Sequence, residues 1–319
     1  MLVAVTLMLT VSCRRENGNG DSLYRQQMRE FVQSISLYAR GVKPGFLVIP
    51  QNGQELLTEN GESGGPLVQA YLDAIDGVGR EDLFYGFNQD NQPTPASDRE
   101  YMLGFLGRAL SSGKRVLVTD YCWTPTRIDD SYSQNSARGF ISFAADHRDL
   151  DNIPPYPAVP FSVNGDSVTS LAAARNFLYL INPDSFLGRT AFLNAIRATN
   201  YDLLIVDLFW GAAALTAADV DTLKLKNNGG QRLLIAYCSI GEAEDYRYYW
   251  QPEWAANPPS WLSEENPDWP GNYRVRYWDP AWQAIIFGND QSYLKRILDA
   301  GFDGVYLDTI DTFEFFEEQ

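Results

Sequence analysis

Short apolar runs alternate with stretches of helical spacing along most of the chain. Leu23 to Arg40 places Met28, Phe31, Val32, Ile35 and Tyr38 at helical intervals and predicts an amphipathic helix. Phe46-Leu47-Val48-Ile49 reads as a strand stopped by Pro50-Gln51-Asn52-Gly53. A helix near Leu67–Leu72 and a weak strand at Ala74–Val78 lead into Gly79-Arg80-Glu81-Asp82. A helix near Asp98–Leu110 precedes the strand Arg115–Thr119, which runs into Asp120-Tyr121-Cys122-Trp123. Phe140–Ala145, Phe177–Ile181, Leu203–Val206, Leu233–Ala236, Tyr273–Tyr277 and Gly304–Leu307 are further strand candidates. Strands alternating with helices predict βα units and a mainly parallel sheet, so the expected fold class is α/β, a (β/α)8 TIM-type barrel. Nine candidates compete for eight places, and Ala74–Val78 and Phe140–Ala145 are the weakest. The Pro-, Ser- and Asn-rich loop Asn152–Ser167 is the best internal linker, but no repeat divides the chain. A single barrel domain over residues 21–319 is therefore expected.

Composition narrows the function. The 319 residues are 45% hydrophobic, enough for a full core, and 25 basic against 41 acidic residues give a net charge of −16. Such a surface repels phosphate backbones, which argues against nucleic acid, and an acidic cleft favours neutral or cationic substrates. One histidine, His147, and no metal-type cysteine spacing leave little basis for a metal site or a His-based triad. There is no Gly-x-Ser-x-Gly elbow and no glycine-rich phosphate loop, so no cofactor is expected.

Met1 to Ser12 is apolar but too short to span a bilayer, and reads as an export signal. Leu9-Thr10-Val11-Ser12-Cys13 resembles a lipoprotein cleavage site with Cys13 as the lipidated residue. Residues 1–20 are then a signal and tether, and the expectation is an exported monomer, secreted or touching a membrane through that anchor. Cys122 and Cys238 end apolar runs and are expected to be buried free thiols.

Catalytic groups of parallel barrels stand at the carboxyl ends of strands, where the βα loops converge. Asp207 follows Leu204-Ile205-Val206, Asp308 follows Val305-Tyr306-Leu307, and Asp120 follows Val116-Leu117-Val118-Thr119. Glu242, Glu81 and Asn52 hold comparable places. A single acid after a strand is more often a helix N-cap than a catalyst. Several at one rim are harder to dismiss, because converging like charges raise carboxyl pKa values as general acid catalysis requires. Glycoside hydrolysis, which needs two carboxyls, fits this inventory better than the alternatives.

Longer motifs carry a resemblance. Ser239-Ile240-Gly241-Glu242-Ala243-Glu244-Asp245-Tyr246-Arg247, Tyr277-Trp278-Asp279-Pro280 and Gly301-Phe302-Asp303-Gly304-Val305-Tyr306-Leu307-Asp308 resemble a bacterial family of glycoside-hydrolase-like barrels related to the endo-α-1,4-polygalactosaminidases. Ile49 to Gly53, Ile75 to Asp82 and Val118 to Cys122 look like it too. In that family the segment similar to Phe177–Phe316 comes first and the one similar to Met28–Asp120 follows. The order here is exchanged, as in a circular permutation, which requires the neighbourhoods of Asp21 and Gln319 to lie close together.

The resemblance implies hydrolysis of an amino-sugar-containing polysaccharide. It makes Asp308 the nucleophile or base and Glu81 the candidate general acid. Asp207, Asp120 and Glu242 are then sugar ligands or pKa tuners, and Asn52, Tyr237, Arg247 and Trp278 line subsites. A structural ion pair of Arg247 with Glu242 or Glu244 is an equal alternative, and Asp303 and Asp311 read as turn and cap residues. The rival function is a non-catalytic glycan-binding surface lipoprotein on the same scaffold.

Overall fold

The computed structural model describes residues 23–319; Cys13, the tether and Asp21 lie outside the described residues. Eight parallel strands organise it: β1 (Leu47–Pro50), β2 (Gly77–Glu81), β3 (Arg115–Tyr121), β4 (Ile141–Ala145), β5 (Phe177–Leu180), β6 (Leu203–Val206), β7 (Leu233–Ser239) and β8 (Gly304–Asp308). The helices are α1 (Leu23–Val42), α2 (Gln69–Ala74), α3 (Ala96–Ser111), α4 (Pro125–Ser136), α5 (Arg189–Arg197), α6 (Ala217–Leu223), α7 (Pro280–Ile286), α8 (Tyr293–Asp299) and α9 (Thr312–Glu317).

Strands β5, β6, β7, β8 and β1 form one parallel ladder in that order, and β2, β3 and β4 form a second. The ladders meet between β1 and β2, through the parallel bridge Gln51↔Gly79 and the bonds Asp76 N–H to Val48 O and Asn52 N–H to Gly79 O, both 2.9 Å. At the other seam the rings of Phe143 on β4 and Phe177 on β5 lie 5.8 Å apart. This is a mixed α/β fold with parallel sheets, consistent with a TIM-like barrel.

Burial explains the strand pattern. β4, β5, β6 and β7 are buried along their whole length, as parallel strands covered on both faces must be. Helix α1 turns Met28, Phe31, Val32, Ile35 and Ala39 to the core, matching its predicted stripe. Its first turn meets α9: the Tyr24 and Phe316 rings are 5.7 Å apart, and Arg25 Nη2 pairs with Glu317 Oε2 at 2.8 Å.

Two strand expectations need correction. Ala74 closes α2 and the strand begins at Gly77, because Asp76 turns its carboxylate back to accept from Val48 N–H at 2.8 Å. Tyr273–Tyr277 is the surplus candidate. Its strand, Asn272–Val275, pairs antiparallel with Glu242–Glu244 and with Leu262–Glu265 in a small sheet that follows β7. The loop Asn152–Ser167 is no bare linker, since Phe161 stacks on Tyr132 at 4.8 Å. Cys122 and Cys238 are buried free thiols. No helix among the described residues is long and apolar enough to cross a membrane.

At the amino ends of the strands one device recurs: an aspartate just before a strand accepts from the backbone of its neighbour. Asp76 serves β1 in this way, and Asp303 accepts from Leu234 N–H at 3.0 Å while bonding Lys224 at 2.7 Å. Asp202 accepts from Arg175 N–H at 3.0 Å and holds Lys226 at 2.9 Å, both side chains fully buried. Removing one partner of a buried pair strands the other charge. Asp202→Ala should therefore cost about 3–5 kcal/mol in denaturant unfolding. Asp166→Ala, which breaks an exposed pair with Arg175, should cost under about 1 kcal/mol.

Candidate active site

Sheet order builds the centre of the site. In the order β8, β1, β2, Asp308 ends β8 and Glu81 ends β2, while β1 stops before both, one residue short of Asp308 in register. The next residue, Gln51, is therefore delivered between the two carboxyls. Its Nε2 donates to Glu81 Oε2 at 2.9 Å and to Asp308 Oδ1 at 2.8 Å. One nitrogen reaching both oxygens keeps them under about 6 Å apart, near the ~5–5.5 Å typical of retaining glycosidases and below the ~6.5–9.5 Å of inverting ones.

Further donors fix each carboxyl. Asn52 takes a left-handed backbone, φ 59°, which asparagine tolerates better than most residues. That turn aims its Nδ2 at Glu81 Oε2, 3.0 Å away, and lets its Oδ1 accept from Glu81 N–H at 3.2 Å. Tyr121, at the end of β3, donates its hydroxyl to Glu81 Oε1. Tyr237 on β7 donates to Asp308 Oδ2 at 2.7 Å. Arg148 lies 4.2 Å over the Tyr121 ring and is itself neutralised by Asp82 and Asp90, each at 2.8 Å.

Burial pushes the Asp308 carboxyl up to about 8; the negative charge of Glu81 adds to the rise, and the Tyr237 hydrogen bond opposes it. Two close carboxyls with so little water cannot both ionise easily, so the pair holds a proton near neutral pH. Asp311 is raised to about 6, by burial first and then by Glu81. Its side chain makes no capping bond to α9 and lines the cleft instead, which corrects its reading as a cap.

The cleft, about 320 Å³, extends from this pair to the loops after β6 and β7. Glu242 accepts from Asn266 Nδ2 at 2.8 Å, and burial raises its carboxyl. Arg247 sits between Asp207, 2.7 Å from Nη1, and Glu244, 2.5 Å from Nε. The ion-pair alternative for Arg247 thus holds for Glu244, although the residue also lines the cleft. Asp207 is raised, by burial foremost, with Arg247 opposing.

Asn52, Glu81, Asp207, Tyr237, Glu242, Arg247 and Asp308 are brought together around the cleft. Asp120 and Trp278 are not among its lining residues. Asp120 is fully buried and accepts from Phe84 N–H, Tyr85 N–H, Ser131 Oγ and Asn135 Nδ2 at 2.6–3.2 Å, leaving nothing to offer a sugar. It staples the loop after β2 to α4. Trp278 packs against Tyr24, Tyr277 and Phe316 at the seam of α1 and α9. Trp250, Trp254, Trp261 and Trp282 form a packed chain with neighbouring centroids 5.0–5.3 Å apart, edge-to-face at its first two contacts and tilted at the third.

Sequence reasoning missed Gln51, Tyr121 and Trp269. Gln51 and Tyr121 stand at strand ends like the acids, but a search for carboxylates passes over them. Trp269, about half exposed, lines the cleft from the turn before the Asn272 strand, the place expected of Trp278. Among the described residues no cluster of His, Cys, Asp and Glu has the arrangement of a metal site.

Comparison with known proteins bears on part of the chain. Residues 193–319 match the family model of glycoside-hydrolase family GH114. An uncharacterized protein of Methanocaldococcus jannaschii is 40% identical over 181 residues, 56% of this chain and 49% of that protein. One from Deinococcus radiodurans is 45% identical over 128 residues, 38% of this chain and 37% of the other. The chain thus spans half or less of the curated relatives it matches. A crystal structure of Aspergillus fumigatus Ega3 in complex with galactosamine is 22% identical and covers 43% of this chain and 45% of that one, with a TM-score of 0.30, too low to establish a common overall fold. Glu81 and Gln51 fall outside the matched stretch; Asp308, Tyr237, Glu242 and Arg247 fall within it. Through residues 193–319, which carry β6, β7 and β8 with Asp308, the chain is related to glycoside-hydrolase family GH114.

Proposed function

We propose that this protein is a glycoside hydrolase acting within an amino-sugar polysaccharide of the polygalactosamine type, with Glu81 and Asp308 as its carboxyl pair. The carrying observation is the Gln51 bridge, which sets two carboxyls at strand ends in one cleft at a separation suited to retention of anomeric configuration. Attack by one carboxyl on the anomeric carbon breaks the glycosidic bond as the other protonates the leaving oxygen. The second carboxyl then takes a proton from water, which releases the sugar. Family resemblance makes Asp308 the nucleophile or base and Glu81 the general acid; the raised pKa of Asp308, which keeps a proton on that carboxyl near neutral pH, favours the reverse assignment, and Glu81 is held by three side-chain donors. The chemistry requires one of each, and the configuration of the glycosyl azide formed in chemical rescue distinguishes them: azide replacing a lost nucleophile gives the inverted product, and azide attacking the glycosyl ester of a variant lacking the acid–base gives the retained one.

The amino-sugar assignment draws on charge. Glu242 and Asp311 face the cleft with the pair, while Arg148 is matched by Asp82 and Asp90 and Arg247 by Asp207 and Glu244. Such a wall attracts ammonium groups. In the same reading the eight parallel strands close as a (β/α)8 barrel whose halves are in permuted order, supported by the β1–β2 bonds and by the contact of α9 with the first turn of α1. In the same reading the protein is exported as a monomer, secreted or held at a membrane through Cys13; the apolar run Met1–Ser12 and the motif Leu9–Cys13 support this.

Glu81→Gln and Asp308→Asn should each lower oligosaccharide release from partly de-N-acetylated polygalactosamine by roughly a thousandfold or more. Binding of that polymer by the unaltered protein with no release would instead establish the non-catalytic glycan-binding reading. The unaltered enzyme should lose activity as pH rises through about 8, where the free pair gives up its proton, in a profile of kcat/KM at low substrate.

The same titration affects stability. Asp308 has an ordinary value of 3.8 and a folded value of about 8, so between these the native state holds a proton that the unfolded chain has lost. Stability therefore falls as pH rises across that window. Asp308→Asn should raise the melting temperature at pH 8, and the gain should vanish near pH 4 in thermal scans.

A further inference from the structure

Beneath the carboxyl pair lies a tyrosine whose hydroxyl has no role in holding the fold. Tyr306 precedes Asp308 by two residues on β8 and Gly79 precedes Glu81 by two on β2, so each lies on the same strand face as its carboxyl. Tyr306 is fully buried, and its ring lies 5.3 Å from that of Tyr179 on β5. Its hydroxyl reaches to the backbone of Gly79, where a Cβ would come within 1.9 Å of the oxygen. The glycine makes room for the hydroxyl end of the ring under Glu81.

That hydroxyl has no hydrogen-bond partner among the described residues. Nor does Gln51 Oε1, which belongs to the side chain bridging the pair. A buried polar group without a partner costs about 1–3 kcal/mol, so phenylalanine would serve packing at position 306 as well or better. The negative charges of Glu81 and Asp308 both act on the Tyr306 hydroxyl, adding to the burial that raises its pKa, which places it within their field.

We propose that Tyr306 is a positioning residue of the Glu81–Asp308 pair, a held-back donor whose hydroxyl hydrogen-bonds the carboxyl left ionised when its partner becomes a glycosyl ester. This inference rests on the hydrolase reading above. In the resting pair the proton and the Gln51 amide offset the repulsion. In the intermediate the esterified carboxyl is neutral, and the other, having given its proton to the leaving oxygen, is a buried anion. A tyrosyl O–H beneath it stabilises that anion without losing its own proton, and water is then deprotonated by the same carboxyl. Groups facing the pair from the packed elements are Gln51 and Asn52 after β1, Asp82 after β2, Tyr121 on β3, Tyr179 on β5, Tyr237 on β7, and Asp311 after β8. Tyr306 is set apart from Gln51, Tyr121 and Tyr237 in making no bond to the resting pair.

The test is Tyr306→Phe in the full chain, compared with Glu81→Gln and Asp308→Asn on partly de-N-acetylated polygalactosamine. Expected are an unchanged or raised melting temperature, KM within about twofold, and kcat lower by roughly ten- to a hundredfold, as for loss of a hydrogen bond to a charged group. The pH profile of kcat should also move upward, because a donor to the ionised form lowers a carboxyl's pKa. Unaltered kcat and pH profile in Tyr306→Phe, while the two carboxyl variants are inactive, would overturn the role of Tyr306 alone. A lowered melting temperature with an unmoved pH profile would make it a structural residue. Undiminished cleavage by both carboxyl variants would remove the pair itself, and this inference with it.

Discussion

Two carboxyls held against each other away from water repel, and the rest of this site depends on how that repulsion is contained. The carboxamide of Gln51 does so by donating to both Glu81 and Asp308. It can because β1 lies between β8 and β2 and ends before either of them, one residue short of Asp308 in register. The parallel register between β1 and β8, from Leu47↔Gly304 to Pro50↔Leu307, is thus part of the chemistry as much as of the fold. A slip of one residue would turn Gln51 out of the cleft and leave the pair with no shared donor.

Stability and site chemistry are kept at opposite ends of the strands. At the amino ends, Asp76, Asp202 and Asp303 are spent on backbone N–H groups and lysines, and their charges are satisfied within the fold. At the carboxyl ends, Asp308, Asp311, Glu242 and Asp207 face a cleft, and burial raises each of them. Raised carboxyls destabilise the native state near neutral pH, a cost expected of a site organised for acid–base chemistry rather than for rigidity.

Period and punctuation made most of the framework legible: seven of the strands and the stripe of α1 can be read from apolar runs and their stops. What failed had local physical causes. Ala74–Val78 looked like a strand because Ala74 and Ile75 are apolar, yet the Asp76 carboxylate begins the strand later by bonding across to Val48. Tyr273–Tyr277 has the right composition, but an antiparallel partner close in sequence, Glu242–Glu244, claims it. Within the site, the rule that acids at strand ends gather in the cleft held for Glu81, Asp207, Glu242 and Asp308. It failed for Asp120, whose place after an apolar run is the same but whose lone pairs are taken by the α4 side chains of Ser131 and Asn135 and by the backbone N–H groups of Phe84 and Tyr85. Which acids stay available depends on donors far away in the chain, and spacing alone does not carry that information. Gln51 was invisible for the opposite reason: its importance lies in being uncharged between two charges.

The central claim is that Glu81 and Asp308 form a hydrolytic pair close enough for direct attack on the sugar. Proton NMR of the first product released from a partly de-N-acetylated polygalactosamine chain tests it most directly, read before mutarotation blurs the anomers. Release of the anomer that matches the cleaved linkage is the predicted result. The opposite anomer would require the wider carboxyl separation of inverting enzymes, which the Gln51 bridge does not allow, and would contradict the account.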